Sequence, residues 1–432
     1  MAKINKKKFT KKMFAALGIF ALSASGVFAL DFGGLLDNST VFKTNAEQNF
    51  KLDQKNSASF WVRQSLNKTG SNYFIAEAIY NFEKDFSGEE TVTTNALDSD
   101  LFKLVLNKNT SAGLFSLSAG RFFYCDLSGL AYSQTADGLL LSFNGNRIEA
   151  SLYGAYTGLL NAQNVKILTS KVQAKDHPAS ETDIFGQTHT VEDNYFFEPD
   201  KDALYDLAEK YVIGSAMVSF PNLFAGQTLN AQVLGTFRVE HEGYTRVYAG
   251  LGLNGPITGT IFYNISSTLG IDNYNGESTH FSNLTVANLI YYLPFASTRL
   301  QLNGSFASGE YGDFGSFKGF TEINATCSLM DVQYEGIAKC GLSFSMKPVR
   351  TLTLSGAADL VFDASGDYYR GEAAGLGSDK EMSSVGFQYS AGLAWQIVSD
   401  VMVGADVSQY FDGDGSDYLD KTAFTIKAAL SF

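Results

Sequence analysis

Cysteine is scarce in this sequence: Cys125, Cys327 and Cys340 are the three among 432 residues. Three are too few to staple a fold, and they cannot all pair within one chain. Cys327 and Cys340 each fall on the apolar phase of an expected strand, where they read as packing residues that bridge only if those strands are neighbours in register. Charge is sparse too, at 18%, while aromatics reach 14%, a combination that excludes a disordered chain. No apolar stretch of about 20 residues follows residue 30, which excludes a polytopic helical membrane protein. HExxH and CxxC are missing, and His177, His189, His241 and His280 fall in expected loops without an acid and a nucleophile at triad spacing. No catalytic residue, cofactor or enzymatic activity is expected.

The N-terminus carries a positive signal. Lys3, Lys6, Lys7, Lys8, Lys11 and Lys12 form a cationic segment, Met13 to Leu22 is a short apolar run, and small residues lead to Val27-Phe28-Ala29. This is the pattern of a secretory signal peptide over residues 1–29, cleaved before Leu30. Ser23, Ser25 and Gly26 interrupt the apolar run too early for a retained anchor helix, and no Cys stands at the cleavage point for lipidation. Removing the six lysines leaves 26 basic against 45 acidic side chains, a net of −19. That balance argues against nucleic acid as a partner, since phosphate binding requires a cationic surface.

The signal that decides the fold is alternation with a period of two. Phe424, Ile426, Ala428, Leu430 and Phe432 occupy one face of the last strand, opposite Thr425, Lys427 and Ser431. Val385, Phe387, Tyr389, Ala391, Leu393, Trp395 and Ile397 repeat the pattern opposite Ser384, Gly386, Gln388, Ser390, Gly392 and Gln396. Strands of about 9 to 12 residues match a tilted bilayer crossing, whereas soluble strands run nearer 5 or 6. The polar faces are rich in Gly, Ser, Thr, Asn and Gln, and aromatics collect near strand ends, as at Phe122-Phe123-Tyr124 and Tyr410-Phe411. In a bilayer every strand's backbone must be paired, so such a sheet has to close. The expected fold is therefore all-β: a transmembrane antiparallel β-barrel over residues 30–432 as a single domain.

Counting strands exposes a parity problem. Nineteen candidates run from 41–52 and 57–66 to 401–411 and 422–432, with 321–331 among them, yet a closed bacterial barrel normally has an even number. Side assignments made from the two ends disagree, which either places the slip between about 309 and 383 or makes the first strand spurious with a second correction needed; eighteen strands is the best count, with 16 or 20 open. Asn144-Gly145-Asn146 and Asn254-Gly255-Pro256 read as hairpin turns, the first needing a left-handed residue.

An insertion at about 158–210 lacks alternation and is dense in charge, with a possible short helix from Asp202 to Tyr211. A loop this long wants a function or disorder; it is either a constriction folded into the lumen or a surface loop. The candidates for lining a pore are Arg63, Glu77, Lys103, Glu149, Arg238, Glu240, Arg246, Lys339, Asp359, Asp406 and Lys427. Facing lipid near the midplane would cost about 2–4 kcal/mol for each basic one, so they are expected on the inside. There they either filter solutes or pair across a narrow lumen. Asp412, Asp414 and Asp417 offer carboxylates to an exposed calcium, but the twelve-residue loop pattern is missing and no metal is expected.

With these features the chain resembles bacterial outer-membrane barrels of the porin type, whose terminal aromatic, here Phe432, serves as an assembly signal. Leu30-Asp31-Phe32-Gly33-Gly34 resembles the opening of treponemal (spirochaete) outer-membrane proteins. Gly120-Arg121-Phe122 through Asp137-Gly138 is similar to a segment of alginate-export and substrate-specific porins. The resemblance implies the cell outer membrane, lipid neighbours, insertion by the barrel-assembly machinery, and passive diffusion of small polar or charged solutes, ions included, through a monomer or trimer. A surface adhesin or structural barrel with an occluded pore shares every strand signal.

Overall fold

Alternating segments become strands because one side of each can meet an apolar medium while the other meets polar groups. The computed structural model describes residues 30–44, 50–86, 91–165, 167, 180–182, 188–190, 200, 202–239, 244–274, 279–309, 315–325, 333–364, 384–412 and 421–432. Eighteen strands form one sheet: β1 Leu30–Thr44, β2 Phe50–Ser65, β3 Tyr73–Asp85, β4 in two segments Val92–Asp98 and Phe102–Asn109, β5 Leu114–Cys125 and β6 Ser133–Asn144. Next come β7 Glu149–Tyr156, β8 Tyr211–Phe224, β9 Gln227–Arg238, β10 Tyr244–Pro256, β11 Ile261–Tyr274 and β12 His280–Leu293. The last six are β13 Thr298–Ala307, β14 Ile337–Val349, β15 Leu352–Asp363, β16 Ser384–Val398, β17 Val401–Asp412 and β18 Lys421–Ser431.

Each strand pairs antiparallel with the next, β7 and β8 meeting across the insertion with Tyr156 opposite Val212. The sheet closes where β1 pairs with β18, from Leu35 opposite Ser431 to Thr44 opposite Thr422. Beyond the ladder, Gly34 and Phe432 exchange both backbone bonds, at 2.9 and 3.1 Å. A side chain at Gly34 would meet the Phe432 ring at 2.4 Å, so the seam needs glycine there. The connections sort by end. One end carries turns of two to seven residues, such as 399–400 and 66–72; the other carries every long connection, including 157–210, 308–336 and 364–383.

The outer face is apolar. Phe387, Leu393, Phe424 and Leu430 are each 38–44% exposed rather than packed on a second sheet. They continue around the barrel through Leu139, Leu152, Val212, Val233, Leu251, Leu302 and Leu342. Water would penalise each such side chain by about 1.5–3 kcal/mol, and a continuous belt of them marks a surface built for lipid.

Several expectations shift in register. The described residues of the candidate strand 321–331, 321–325, form no named strand between β13 and β14, and the described sheet closes with an even count of eighteen. The candidate 41–52 straddles two strands: β1 already begins at Leu30, and β2 begins at Phe50. The turn after Asn144 spans four residues, closed by Gly145 N–H donating to Ile148 at 3.0 Å, and so needs no left-handed residue. A left-handed pair sits instead at Ala225 and Gly226, φ 47° and 78°, the backbone a two-residue hairpin demands. Asn254-Gly255-Pro256 lies inside β10, with the turn at 257–260. Described residues between 202 and 210 form turns and bridges rather than a helix, His280 opens β12, and His189 lies in a short ribbon of Ser180–Thr182 with Thr188–Thr190. Cys125 and Cys340 are free; Cys327, His177 and His241 lie outside the described residues.

Because Gly34 carries the seam, Gly34→Leu is expected to lower the fraction of refolded protein that keeps fast electrophoretic mobility without boiling. A folded fraction equal to wild type would contradict that seam.

Candidate functional site

The strands carry one phase outward, so the alternate phase faces the barrel interior. Arg63, Glu77, Lys103, Glu149, Arg238, Arg246, Lys339, Asp359, Asp406 and Lys427 all occupy that alternate phase. Glu240 lies outside the described residues. Most of these charges have a partner. Lys339 Nζ lies 3.2 Å from Asp359, whose other neighbour is Gln388 Nε2 at 2.8 Å. Lys427 and Asp406 pair at 2.8 Å, both partly open to solvent. Arg63 stacks on Tyr73 at 4.4 Å and Lys103 sits over the Phe122 ring at 4.7 Å. Toward the long-loop end, Lys43, Asp53, Lys51 and Asp85 form a chain of ion pairs beside Lys55–Glu83.

Two connections fold inward at that same end. Residues 126–132 are wound around the Asp126 carboxylate, which accepts the N–H groups of Ser128, Ala131 and Tyr132 at 2.8, 3.1 and 2.9 Å. Residues 315–325 lie against this loop, with Phe320 N–H donating to Ala131 at 2.7 Å. Tyr132, Phe317 and Phe320 are fully buried. The Phe320 ring stacks on Tyr132 at 5.6 Å and meets Tyr211 edge-on at 5.0 Å, while Phe317 lies 6.0 Å from Tyr248. Tyr211 and Tyr248 belong to the inward phase of β8 and β10, so the aromatic cluster narrows the lumen. Arg246 anchors it: its Nη1 donates to Gly319 at 2.8 Å and its Nε lies 2.7 Å from Asp272. Arg246 is completely buried, so it holds the inward segment rather than facing open water.

The wall has a discontinuity beside this cluster. At β5, Gly120 has φ 119° and an added side chain would strike the Phe102 carbonyl at 2.0 Å, a close approach that only glycine allows while the register with β4 and β6 stays unbroken. Arg121 follows it, forked onto Asp137 at 2.9 and 2.8 Å and reaching the carbonyls of Ser99 and Leu159 at 3.1 and 2.7 Å. Described parts of the insertion stitch to upper β4: Leu97 N–H donates to Leu204 at 2.9 Å, and Asn161 Nδ2 donates to Leu97 at 3.1 Å. Arg238 closes the other flank on Glu209 at 2.7 Å. Burial pushes the Glu209 carboxyl above its ordinary value, and Arg238 opposes that shift.

The inward segments, Arg121 and the aromatic cluster carry no alternation, so period-two reading passes over them. The usable signal in 126–132 is local: an Asp and a Ser two apart, then Gly129 at φ 67°. Asp414 and Asp417 lie outside the described residues, as does the Asp412 side chain; among the described residues no three metal-ligating side chains converge.

Removing Arg246 alone strands Asp272 beneath 315–325. Arg246→Met is expected to lose about 3–5 kcal/mol, read as a shift in the urea midpoint of refolding in lipid vesicles. Adding Asp272→Leu is expected to recover most of it. A midpoint unchanged in the single variant would overturn the anchoring role.

No protein-family model matches the chain, and no curated protein matches it. Solved structures do. Pseudomonas aeruginosa OccK5 (OpdH) superposes with a TM-score of 0.55 at 10% identity, covering 93% of this chain and 98% of that one. OccK2 (OpdF) from the same organism, in complex with glucuronate, gives 0.55 at 11%, covering 93% and 98%. The outer membrane protein OprD gives 0.52 at 11%, covering 93% and 94%. At these identities the likeness is one of fold: this chain is built like those outer-membrane barrels.

Proposed function

We propose that the chain is an outer-membrane channel of the porin type that admits small polar or charged solutes by passive diffusion. The observation that carries this reading is a closed barrel, apolar outside, whose inward phase bears paired charges and is narrowed, among the described residues, by 126–132 and 315–325. Those of the ten described wall charges that stay open to solvent, such as Lys427 and Asp406, act in it as an electrostatic lining, while Arg246 and Arg238 hold backbone. The reading also takes residues 1–29 as an export signal and Phe432 as the residue offered to the assembly machinery, with the long-loop end outside the cell. The treponemal character of Leu30–Gly34 belongs to the same proposal and rests on that segment alone.

A second reading, a surface or structural barrel with a blocked pore, draws on the complete burial of Tyr132, Phe317 and Phe320. Single-channel recording in planar bilayers separates the two. The porin reading expects discrete open steps, larger in the double variant Phe317→Ala, Phe320→Ala than in wild type. Silence from both proteins, once insertion is verified, would leave the blocked barrel standing.

Because acids exceed bases in residues 30–432, the open channel is expected to prefer cations. The preference should weaken as salt rises, since the Debye length falls from about 10 Å at 0.1 M to about 3 Å at 1 M. Reversal potentials in KCl gradients at low and high mean concentration check this; anion preference would reject the lining as assigned.

A further inference from the structure

The described stem of the insertion, 157–165 and 202–210, carries an exposed apolar side of its own, and the register of the wall shows where that side lies. Arg121 on β5 is paired with Asp137 on β6, Asp137 with Tyr156 on β7, and Tyr156 with Val212 on β8. Residues opposite one another in a ladder share a face. Val212 is exposed on the outer surface, as is Leu139 two residues from Asp137, whereas Phe122 and Ala136 on the alternate phase are buried inside. Arg121 and Asp137 therefore stand on the outer face. They stand within the apolar belt too, because Phe123, two residues further toward the long-loop end, is 59% exposed on that same face. Arg121 is seven residues from Leu114, where β5 leaves its short turn. At about 3.3 Å per residue and a tilt of about 40°, that is roughly 18 Å above the rim, inside a band about 25 Å tall.

An ion pair at that depth needs cover, since charge facing hydrocarbon is costly. The stem supplies it. The Leu159 carbonyl accepts from Arg121 Nη2 at 2.7 Å and from the Tyr205 hydroxyl, which in turn accepts from Arg121 Nη1 at 3.4 Å. Arg121 is left 9% exposed, while Leu159, Leu204, Tyr205 and Leu207 of the covering stem are each 40–54% exposed. The stem's backbone is also bonded as a lipid-facing segment requires. The amides of Leu160, Ala162 and Ala208 donate to the carbonyls of Thr157, Asp206 and Leu160, and that of Leu207 donates to the Asp206 carboxylate. The Ala203 carbonyl accepts from Gln163, and the Leu204 carbonyl accepts from both Leu97 N–H and Asn161 Nδ2. A loop bathed in water has no need of such complete pairing. Asp200 and Asp202, both exposed, mark the waterward limit.

We propose that the stem is seated in the membrane: Leu159, Leu204 and Leu207 lie among the acyl chains of the adjoining leaflet, Tyr205 lies at its polar boundary, and together they seal Arg121 and Asp137 from lipid. The occupant of this surface is lipid because the patch continues the apolar belt of the barrel, with Phe123 and Val212 exposed on the same face. This part of the insertion is then neither a constriction in the lumen nor a free surface loop. The inference rests on the barrel standing in a bilayer and not on the lumen conducting.

Single-tryptophan variants test it, made in a Trp61→Phe, Trp395→Phe background and refolded into phosphatidylcholine vesicles whose acyl chains carry bromine. Emission from Leu159→Trp, Leu204→Trp and Leu207→Trp is expected to be blue-shifted and quenched nearly as strongly as from Leu251→Trp in the belt. It should be quenched far more than from Lys68→Trp in an exposed turn, and aqueous acrylamide should give the reverse order. Unboiled electrophoretic mobility checks that each variant folds. Where one does not, a carbene reagent confined to the bilayer decides the matter on the unsubstituted protein, in which it is expected to tag 203–207. Stem positions that respond like Lys68→Trp while Leu251→Trp is quenched would overturn the seat and leave the barrel in its bilayer. Shielding from both quenchers would mean protein cover, a second copy included, and would overturn it equally. A Leu251→Trp that escapes the bromine would bring down the membrane reading of the barrel, and the seat with it.

Discussion

Peptide groups that face hydrocarbon find no water to bond, and each one left unpaired costs several kcal/mol. That constraint governs this molecule. It requires the sheet to close, and β1 and β18 do so with the exchange between Gly34 and Phe432 beyond the last rung. It also explains why the interruption of β4 is covered: where the ladder stops, Leu97 is bonded by Leu204 and Asn161 from the insertion. Two bonds from the insertion thus stand in for strand pairing at Leu97.

Closure creates an interior that cannot be filled by the strands themselves. Side chains of an eighteen-stranded wall do not meet at the axis, so narrowing has to come from connections. Here 126–132 and 315–325 supply it, one organised by the Asp126 carboxylate and the other tied down by Arg246. The charges of the wall then divide by position. Arg246–Asp272 and Arg238–Glu209 are shielded and hold backbone in place, whereas Lys427–Asp406 stands in more open surroundings where mobile ions compete with it.

Much of this architecture was legible in the amino acids, because each strand of a barrel in oil reports its two environments every second residue. Phe424 to Phe432 and Phe387 to Ile397 are plain on the page and lie outward as that pattern implies. Legibility ended where the two-residue period ended. The segment 321–331 mimics a strand in composition, yet its described residues 321–325 form none, and Arg121 announces nothing by spacing, since its partners Asp98, Asp137 and Leu159 come from three separate stretches. Long-range side-chain convergence of that kind leaves no local trace. β1 was displaced for a different reason: Asp37-Asn38-Ser39-Thr40 puts polar residues on both phases, which hides a strand that the ladder with β2 secures from Leu30 onward.

The junction of Gly34 with Phe432 has a consequence for how the molecule comes into being. Every other ladder joins strands that follow one another along the chain, so those rungs assemble at modest entropic expense. The last ladder must bring together segments separated by nearly the whole polypeptide, and until it does the growing sheet carries two raw borders with free amides and carbonyls. Closing that ladder therefore carries the largest loop-closure cost in the sheet, and until it is made both borders stay open to pairing with other chains.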